Sequence, residues 1–483
     1  MTQARFNGPK ADSRVEAGGS AREQAYQAVA IGCGPFNLGL AALASTLPEL
    51  DLVAFEAQPE LRWHPGLMFE DATFQLSFLA DLVTLVDPTH PLSFLAYLRD
   101  VDRMYPFFIR ERFHPTRREY EDYLRWVAGK LPSVRFGHRV EEVRWDRSLF
   151  LFVVHVVGPA GRTRVLAKDL VIGIGTEPCL PEALTALPRN RCVHSGHYLH
   201  ELPQITRARH LTVVGSGQSA AECALDALRR NLDGGAPLSW ITRTPAFAPL
   251  DYTKLVLEMT TPAYVRYFHG LPQDTKDRLV REQWQHYKGI SVDTLEAIHD
   301  TLYQRELRTG LEPVELRSGV AVEGARLDGS GDVILRCRHR DTNTTFEHRT
   351  SLVVAATGYR ERSPAFLEPL EPLLMRDDLG RYRVRLDYSI ELDSTITGRI
   401  FVANAELHTH GVATPDLGMC AFRNATILNT ITGREVHRLP RRTAFSSFAL
   451  PAPEPVRERE QAVRRQGAAV VGHAGLDLPQ LER

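Results

Sequence analysis

The sequence predicts an α/β protein with two parallel sheets, each organised around a glycine-rich turn. One turn follows an apolar run that begins at Gln27, and the other follows an apolar run that begins at Leu211. In both places a predicted buried strand runs into glycines, and a helix-forming segment follows at once. The chain later becomes charged and helix-prone over residues 250–310. These three observations predict two dinucleotide-binding Rossmann-like domains with a small helical substrate-binding insertion.

The first turn has the sequence GCGPFN. Gly32 permits a sharp turn, and Gly34 leaves room for a pyrophosphate that the free N–H groups of the following helix attract. Asn37 stands where a third glycine is expected. The next predicted strand ends in Glu56, about 20 residues further on, where an acid commonly binds a ribose hydroxyl. The predicted cofactor-binding residues of this unit are Gly32, Gly34, Pro35, Phe36, Asn37 and Glu56.

The second turn has the sequence GSGQSA and completes the fingerprint, with alanine at the final small-residue position. The strand after it, Leu238–Ile241, ends in Thr242 and Arg243 rather than in an acid. A guanidinium pairs with a phosphorylated ribose that a carboxylate would repel, so NADPH is favoured over NADH. The alternative for Arg243 is a solvated surface side chain. The predicted cofactor-binding residues here are Gly215, Ser216, Gly217, Gln218, Ser219 and Arg243.

The stretch after Glu56 is rich in aromatic residues and proline, and its apolar bulk is costly to leave in water. We expect it to fold over a cofactor ring, although simple packing is an open alternative for two of its members. The residues expected nearest the ring are Trp63, His64, Pro65 and Gln75. A later apolar run, from Leu352, ends in ATGY and resembles the return strand of two-dinucleotide flavoproteins. Further candidate cofactor-binding residues are Val140, on a predicted strand from Val134 to Val143, and Thr357, Gly358 and Tyr359.

The composition of the 483 residues excludes several functions. The net charge of -1 argues against a nucleic-acid surface. No apolar run is long enough to span a bilayer, and the first 25 residues lack the apolar core of a signal peptide, so a cytoplasmic protein is expected. The six cysteines have no metal-ligand spacing, and His408 and His410 lack a regularly spaced third ligand, so no metal is predicted.

A flavin site beside an NADPH site implies that the flavin is reduced and then passes electrons on. Transfer to a disulfide needs a redox pair of cysteines, and the sequence has no CxxC. Oxygen and an electron-transfer partner remain as acceptors.

The sequence resembles the lysine and ornithine N-monooxygenase family, the N-hydroxylating flavin monooxygenases of siderophore biosynthesis. The motifs GCGPFNL, RWHPG, FQLSFLADLV, DPTHPLSFLAYL, GSGQSAAE, ATGY and HTHGVATPDLG carry the resemblance, in order, from about Tyr26 to Arg434. It implies FAD, NADPH and oxygen, hydroxylation of a terminal primary amine, Gln75 beside the flavin, and a homotetramer. A ketone- or sulfide-oxygenating flavin enzyme and a flavin electron carrier are the alternatives from other classes.

The predicted domain boundaries follow from the motifs and from composition. Residues 26–205 and 357–445 are expected to form the FAD-binding domain, and residues 206–249 and 311–356 the NADPH-binding domain. Residues 250–310 form the predicted helical substrate-binding region. Residues 1–25 are expected to be a flexible arm, and residues 446–483 a flexible tail, because the tail composition cannot bury enough to order itself.

Two departures from the family pattern bear on the substrate. Members that act on lysine or ornithine have a lysine in the FLxDLV stretch, where this chain has Ala80, and Leu257 replaces an asparagine of the ornithine enzymes. Both changes remove partners for a substrate carboxylate. We therefore predict a diamine, putrescine or cadaverine, over lysine or ornithine.

Asp416 is the first candidate for binding the distal ammonium and Glu258 the second, while helix capping is an equal alternative for Asp416. The candidate catalytic residues are Gln75 and Asp416, and the candidate substrate-binding residues are Ala80, Leu257, Glu258, His286 and Asp416.

Overall fold

The computed structural model describes residues 25–233, 235–310 and 314–449. The predicted N-terminal arm, apart from Ala25, and most of the predicted C-terminal tail lie outside these residues. The strands are β1 (Tyr26–Ile31), β2 (Leu52–Phe55), β3 (Val134–Arg135), β4 (Arg139–Asp146), β5 (Leu151–Gly158), β6 (Gly161–Ile172), β7 (Thr176–Pro178), β8 (Cys192–His194), β9 (Leu211–Val214), β10 (Leu238–Ile241), β11 (Val314–Arg317), β12 (Val320–Leu327), β13 (Val333–His339), β14 (Thr345–Thr350), β15 (Leu352–Ala355), β16 (Tyr359–Glu361) and β17 (Arg399–Val402).

The α-helices are α1 (Pro35–Ala44), α2 (Phe94–Asp100), α3 (Met104–Ile109), α4 (Arg117–Lys130), α5 (Glu182–Thr185), α6 (Leu202–Thr206), α7 (Gln218–Arg230), α8 (Lys254–Leu257), α9 (Pro262–His269), α10 (Gln273–Glu282), α11 (Gln285–Lys288), α12 (Val292–Thr309), α13 (Leu407–His410) and α14 (Cys420–Thr432). Short 3-10 helices span Pro65–Leu67, Ser195–His197, Glu258–Thr260, Ala365–Leu373, Gly411–Ala413 and Leu417–Met419. Within the described part of the chain, no helix is long and apolar enough to cross a membrane.

The first sheet has the strand order β3-β2-β1-β6-β5-β4, and β17 also pairs with β6. Strands β3, β2, β1, β6 and β17 run parallel, whereas β4, β5 and β6 form an antiparallel extension. The last four residues of β6 pair with β1 on one side and β17 on the other. The predicted strand from Val134 to Val143 is wrong in one respect: it divides into β3 and β4, with Gly137 at φ +68° between them.

The second sheet is parallel throughout, with the order β11-β10-β9-β15-β8. Because β8 pairs with β15, residues 192–194 belong to the second domain and not, as predicted, to the first. The boundary predicted at 205/206 is therefore wrong. The chain crosses between the sheets in the two-stranded antiparallel pair β7–β16, where Thr176 lies opposite Glu361.

Helix α12 packs along α7 and is the last helix before β11, the strand that pairs in parallel with β10. It therefore acts as a crossover helix of the second domain, which shortens the predicted helical insertion at its C-terminal end. Among the remaining helices, α9 and α10 contact α13 and the 3-10 helix Gly411–Ala413, which follow β17 of the first sheet.

The predicted start of the flexible tail at residue 446 is also too early. The rings of Phe448 and Tyr264 in α9 are 5.0 Å apart, and the N–H group of Ser446 donates to Glu258. Residues up to Phe448 are therefore packed on the helical region.

Candidate active site

A cavity of about 270 Å³ lies where the two nucleotide domains and the helical region meet. Some of the residues predicted for the flavin, some of those predicted for the nicotinamide nucleotide and some of those predicted for the substrate line it. They are Trp63, His64, Gln75, Gln218, Ser219, Tyr359, His286 and Asp416. The cavity is therefore the candidate active site.

The first glycine turn has the shape that a pyrophosphate requires. Gly32 has φ +83°, and a Cβ there would lie 2.6 Å from the carbonyl oxygen of Gly173, so a larger residue cannot replace it without strain. A Cβ on Gly34 would meet no atom within 4 Å, which leaves open space at the N-terminus of α1. Glu56, at the end of β2, accepts the N–H of Cys33 at 2.8 Å and so holds the turn against the strand. These residues fit a dinucleotide.

Asn37 has a different role from the one predicted. Its side-chain amide donates to the carbonyl oxygens of Gly32 (2.8 Å) and Ile31 (3.2 Å) and packs against Gly173. The side chain faces the sheet, so it locks the turn and is not directed at a nucleotide. The ring of Phe36, beside it in α1, lies under the guanidinium of Arg423.

The second glycine turn is equally restricted. A Cβ on Gly215, at φ +152°, would lie 2.1 Å from the carbonyl oxygen of Ala356. Gln218, the first residue of α7, is fully engaged: its amide donates to Glu222 and Thr294 and accepts from the N–H of Ser291. The turn is thereby fixed to both α7 and α12.

Arg243 is exposed at the end of the strand that follows this turn. Within the described residues, no carboxylate forms an ion pair with its guanidinium. Burial, together with the charge of Arg243, lowers the pKa of Lys288, whose backbone carbonyl faces Gly217. Two cations thus lie close together beside the glycine turn, which is the charge arrangement that a ribose phosphate needs.

An aromatic wall closes the cavity on the side of the first domain. The ring centroids of Trp63 and Tyr120 are 5.2 Å apart, and those of Phe74 and Tyr120 are 4.3 Å apart. His64 has a left-handed backbone at φ +52°, and burial, aided by the charge of Arg117, lowers its pKa to about 4. Gln75 has a buried Nε2 without a hydrogen-bond partner among the described residues. An amide donor left unsatisfied in this wall points to a bound group that accepts a hydrogen bond.

The return strand reaches the cavity through the predicted ATGY motif. Thr357 donates its hydroxyl to the carbonyl of Cys179, and Gly358 takes φ +87°. Tyr359 then lines the cavity, 5.2 Å from the ring of His194. Motif residues thus form both the crossing between the domains and part of the site.

Asp416 is the carboxylate of the cavity. Its Oδ1 accepts the N–H of Gly418 at 2.6 Å, so the predicted capping contact exists, and it caps the 3-10 helix Leu417–Met419. Burial raises the pKa of Asp416 to about 6, and hydrogen bonds from Gly418 and Thr260 oppose the rise. His286, also in the wall, has a pKa lowered by burial and an Nδ1 without a partner in the described chain.

The structure does not bring the second acidic candidate to the site. Both oxygens of Glu258 accept backbone N–H groups, from Phe445 and Ser446, at 2.8 Å each. Its carboxylate therefore holds the C-terminal segment, and the prediction that it binds an ammonium group is wrong. Leu257 and Ala80 likewise do not line the cavity, and Ala80 is buried next to Gly418.

Val140 is another predicted cofactor residue that lies away from the cavity. It is buried in β4 within the core of the first domain. Two residues before it, His138 donates its N–H to the carbonyl oxygen of Glu56.

Three residues with charged or hydroxyl-bearing side chains that line the cavity were not predicted from the sequence: Arg117, Tyr252 and Tyr287. Tyr287 lies beside His286 in α11, which is a local signal that could have found it. Arg117 and Tyr252 have no such signal, because only long-range packing brings the start of α4 and the loop before α8 to one place.

Two nucleotide-binding folds that face a common cavity define the class of two-dinucleotide oxidoreductases. Residues 24–361 match the family model of L-lysine 6-monooxygenase/L-ornithine 5-monooxygenase. The chain belongs to this family of monooxygenases.

Three individual relatives are similar to this chain over most of its length. The chain is 39% identical to a putrescine N-hydroxylase of Shewanella oneidensis, over 88% of this chain and 84% of the relative. The crystal structure of an FAD-bound cadaverine monooxygenase of the desferrioxamine pathway from Erwinia amylovora, DfoA, is 40% identical, with a TM-score of 0.85 over 89% of this chain and 99% of that one. An ornithine N-hydroxylase of Kutzneria sp. 744, solved with reduced FAD, NADP+ and L-ornithine, is 26% identical, with a TM-score of 0.78 over 85% and 99% of the two chains.

Proposed function

We propose that this protein is an FAD-containing monooxygenase that uses NADPH and oxygen to hydroxylate one terminal amine of an aliphatic diamine, putrescine or cadaverine. The product is a hydroxylamine of the kind from which hydroxamate siderophores are built. Similarity to a putrescine N-hydroxylase and to a cadaverine monooxygenase supports the diamine. One feature of this chain supports it independently, namely the charge of the cavity.

Each of the two glycine turns would bind one of the two cofactors. Gly32, Gly34 and Glu56 would hold FAD, and the turn at Gly215 with Arg243 would hold NADPH. The bound flavin supplies the redox chemistry, taking hydride from NADPH and activating oxygen. Gln75, whose Nε2 has no hydrogen-bond partner among the described residues, would donate a hydrogen bond to the bound group.

Among the described residues, the cavity offers a carboxylate and no cation that is free of a carboxylate partner. Arg117 is the one arginine or lysine that lines it in the described chain, and Glu222 neutralises it through two hydrogen bonds of 2.8 and 2.6 Å. Burial lowers the pKa of His64 and of His286, so both rings are neutral at pH 7. A substrate carboxylate would find no partner here, whereas a substrate ammonium would find Asp416. This asymmetry is the observation that carries the proposal.

The same environment favours the reacting end of the substrate. A primary amine has a pKa of about 10.4 in water, and only its neutral form has the lone pair that attacks oxygen. The rings of Trp63, Phe74 and Tyr252 line the cavity, and desolvation there, with the cofactors bound, would disfavour the ammonium form. Asp416 would bind the distal ammonium, while the near amine loses its proton in the apolar part of the cavity.

The test is NADPH oxidation coupled to hydroxylamine formation with putrescine, cadaverine, lysine and ornithine in parallel. We expect hydroxylamine from the diamines and little from the amino acids. Turnover that is fastest with lysine or ornithine would overturn the diamine assignment. Oxidation of ketones or sulfides without any response to amines would overturn N-hydroxylation itself.

We also propose that the chain forms a homotetramer, which the family resemblance implies. Helix α3 supports self-association because none of its residues is buried. Tyr105 is 76% exposed, and Phe108 and Ile109 are each 71% exposed, which is unusual for a monomer surface. Sedimentation equilibrium should give four times the mass of one chain, and a concentration-independent monomer would contradict the proposal.

A further inference from the structure

One ion pair joins the two nucleotide domains beside the cavity. Arg117, at the start of α4 in the first domain, donates to both carboxylate oxygens of Glu222 in α7 of the second. The two side chains are only 13% and 8% exposed. Bidentate pairs of this kind fix geometry as well as energy, since two parallel hydrogen bonds define one relative orientation.

The pair is connected to the nucleotide turn and to the aromatic segment. Glu222 accepts the side-chain amide of Gln218, the first residue after the second glycine turn. Arg117 donates to the carbonyl oxygen of Leu67, and its own N–H donates to the carbonyl of Ala72. The pair thus links the turn that would hold NADPH to the loop that carries Trp63 and His64.

The loop segment from Leu67 to Ala72 packs mainly on the second domain. Leu67, Phe69 and Ala72 belong to the hydrophobic core around α7 and the second sheet, and the rings of Phe69 and Tyr198 are 5.4 Å apart. An apolar contact tolerates small rotations because it has no preferred direction. The interface also has directional contacts, namely the exposed pair Arg229–Asp71 and the hydrogen bond from the N–H of Leu199 to the carbonyl of Gly66. The Arg117–Glu222 pair differs from them in being both buried and bidentate.

We propose that Arg117 and Glu222 are positioning residues that set the angle between the two nucleotide domains. By holding Gln218 and the loop of Leu67 in one arrangement, they bring the nicotinamide side of the cavity against the flavin side. Removing one partner leaves a buried charge uncompensated, which drives the domains apart to admit water. The reduction of FAD by NADPH is therefore the step that depends on the pair. The inference rests on the use of both cofactors, but not on the identity of the amine.

The test compares Glu222→Gln with a matched control, Arg229→Gln. Arg229 in the same helix pairs with Asp71 of the same loop, but both side chains are exposed, at 46% and 61%. Such a pair contributes little to orientation. Glu222→Asp, which retains the charge on a shorter side chain, serves as the conservative variant. Neither Glu222 nor Arg229 lines the cavity.

Two readouts are required. The first is the anaerobic rate at which NADPH reduces FAD in each holoenzyme, measured without any amine. Misplacement by about 1 Å can slow such a step by about 100-fold, so we expect a fall of about 10- to 100-fold for Glu222→Gln, a partial recovery for Glu222→Asp and no change for Arg229→Gln.

The second readout is hydrogen exchange of the Arg117 and Leu199 amides, which bond to Ala72 and Gly66 in the loop. It should accelerate in Glu222→Gln alone.

A positioning role would be overturned by either of two results. In one, Glu222→Gln lowers the melting temperature while the reduction rate of the folded holoenzyme stays at the wild-type value. In the other, Arg229→Gln slows reduction and accelerates exchange as strongly as Glu222→Gln. Because reduction is measured without amine, a failure of the diamine assignment would leave these results unaffected.

Discussion

The carboxylate of Asp416 and the methyl group of Ala80 face each other across Gly418. A Cβ built on Gly418 would lie 2.9 Å from Oδ1 of Asp416 and 4.0 Å from the Cβ of Ala80. A lysine at position 80 has the reach to pair with Asp416. Because alanine stands at position 80, no lysine there competes for Asp416, and the carboxylate would remain available to the substrate.

Ala80→Lys should suppress diamine turnover. The new ammonium would occupy the carboxylate and repel the distal end of a diamine, so we expect the KM for putrescine and cadaverine to rise by about tenfold or more. Ala80→Met adds similar bulk without charge and is the control. If both variants raise KM equally, bulk and not charge explains the effect.

Asp416→Asn should weaken diamine binding and spare the cofactors. An amide retains the acceptor for the N–H of Gly418 but loses the negative charge, so we expect the KM for the diamine to rise by about 10- to 100-fold. The KM for NADPH and the FAD content should match those of the wild type. An unchanged diamine KM would show that Asp416 only caps its helix.

The pH dependence of diamine binding should report Asp416. Its pKa is raised to about 6, so the carboxylate is ionised at pH 7.5 and becomes protonated as the pH falls through 6. The ratio of the diamine KM of Asp416→Asn to that of the wild type should therefore be large at pH 7.5 and approach one near pH 5. Protonation of the reacting amine affects both proteins alike and cancels in the ratio. A ratio that does not vary with pH would contradict the assignment.

The raised pKa of Asp416 also affects the stability of the protein in the absence of substrate. A carboxyl whose folded pKa is raised is destabilising when ionised, and this cost is absent below its ordinary pKa of 3.8 and grows as the pH rises through about 6. Asp416→Asn should therefore melt at a higher temperature than the wild type at pH 7.5. The difference should shrink between pH 6 and pH 4, as differential scanning fluorimetry would show.

Arg243→Ala should raise the KM for NADPH far more than the KM for NADH. The neighbouring charge of Lys288 predicts an effect of the same kind for Lys288→Ala, and we expect a loss of about tenfold for each cation removed from the phosphate. Arg340→Ala, which removes a nearby guanidinium that donates only to the backbone carbonyl of Arg243, is the control. Equal effects on both nucleotides would reject the phosphate role.

Gly34→Val should abolish FAD binding without unfolding the protein. Gly34 has an ordinary φ of -73°, and its Cβ position is empty, so valine fits the polypeptide but occupies the place of the pyrophosphate. We expect a protein with a wild-type circular dichroism spectrum and no bound flavin. Gly129→Ala, also in open space but within α4, should retain FAD. Full flavin loading of Gly34→Val would show that the cofactor lies elsewhere.

Local patterns in the sequence predicted most of the nucleotide-binding elements. Both glycine turns, Glu56 at the end of β2 and the return strand into Tyr359 lie as expected, because a strand, a tight turn and a helix are encoded by neighbouring residues. The sequence shows that Asn37 replaces the third glycine, but it does not show the reason. Asn37 bonds carbonyls on two separate strands, and no local pattern records that contact.

The sequence by itself determined the class of chemistry: two nucleotide turns, an arginine in place of an acid, and an alanine in place of a lysine. Only the tertiary structure decided which acid faces the cavity, assigned β8 and α12 to the second domain, and paired Arg117 with Glu222 across the domains. The physical reason is that periodicity and turn chemistry act between neighbours. The meeting of loops 100 or more residues apart depends on sheet register and on the packing of whole domains.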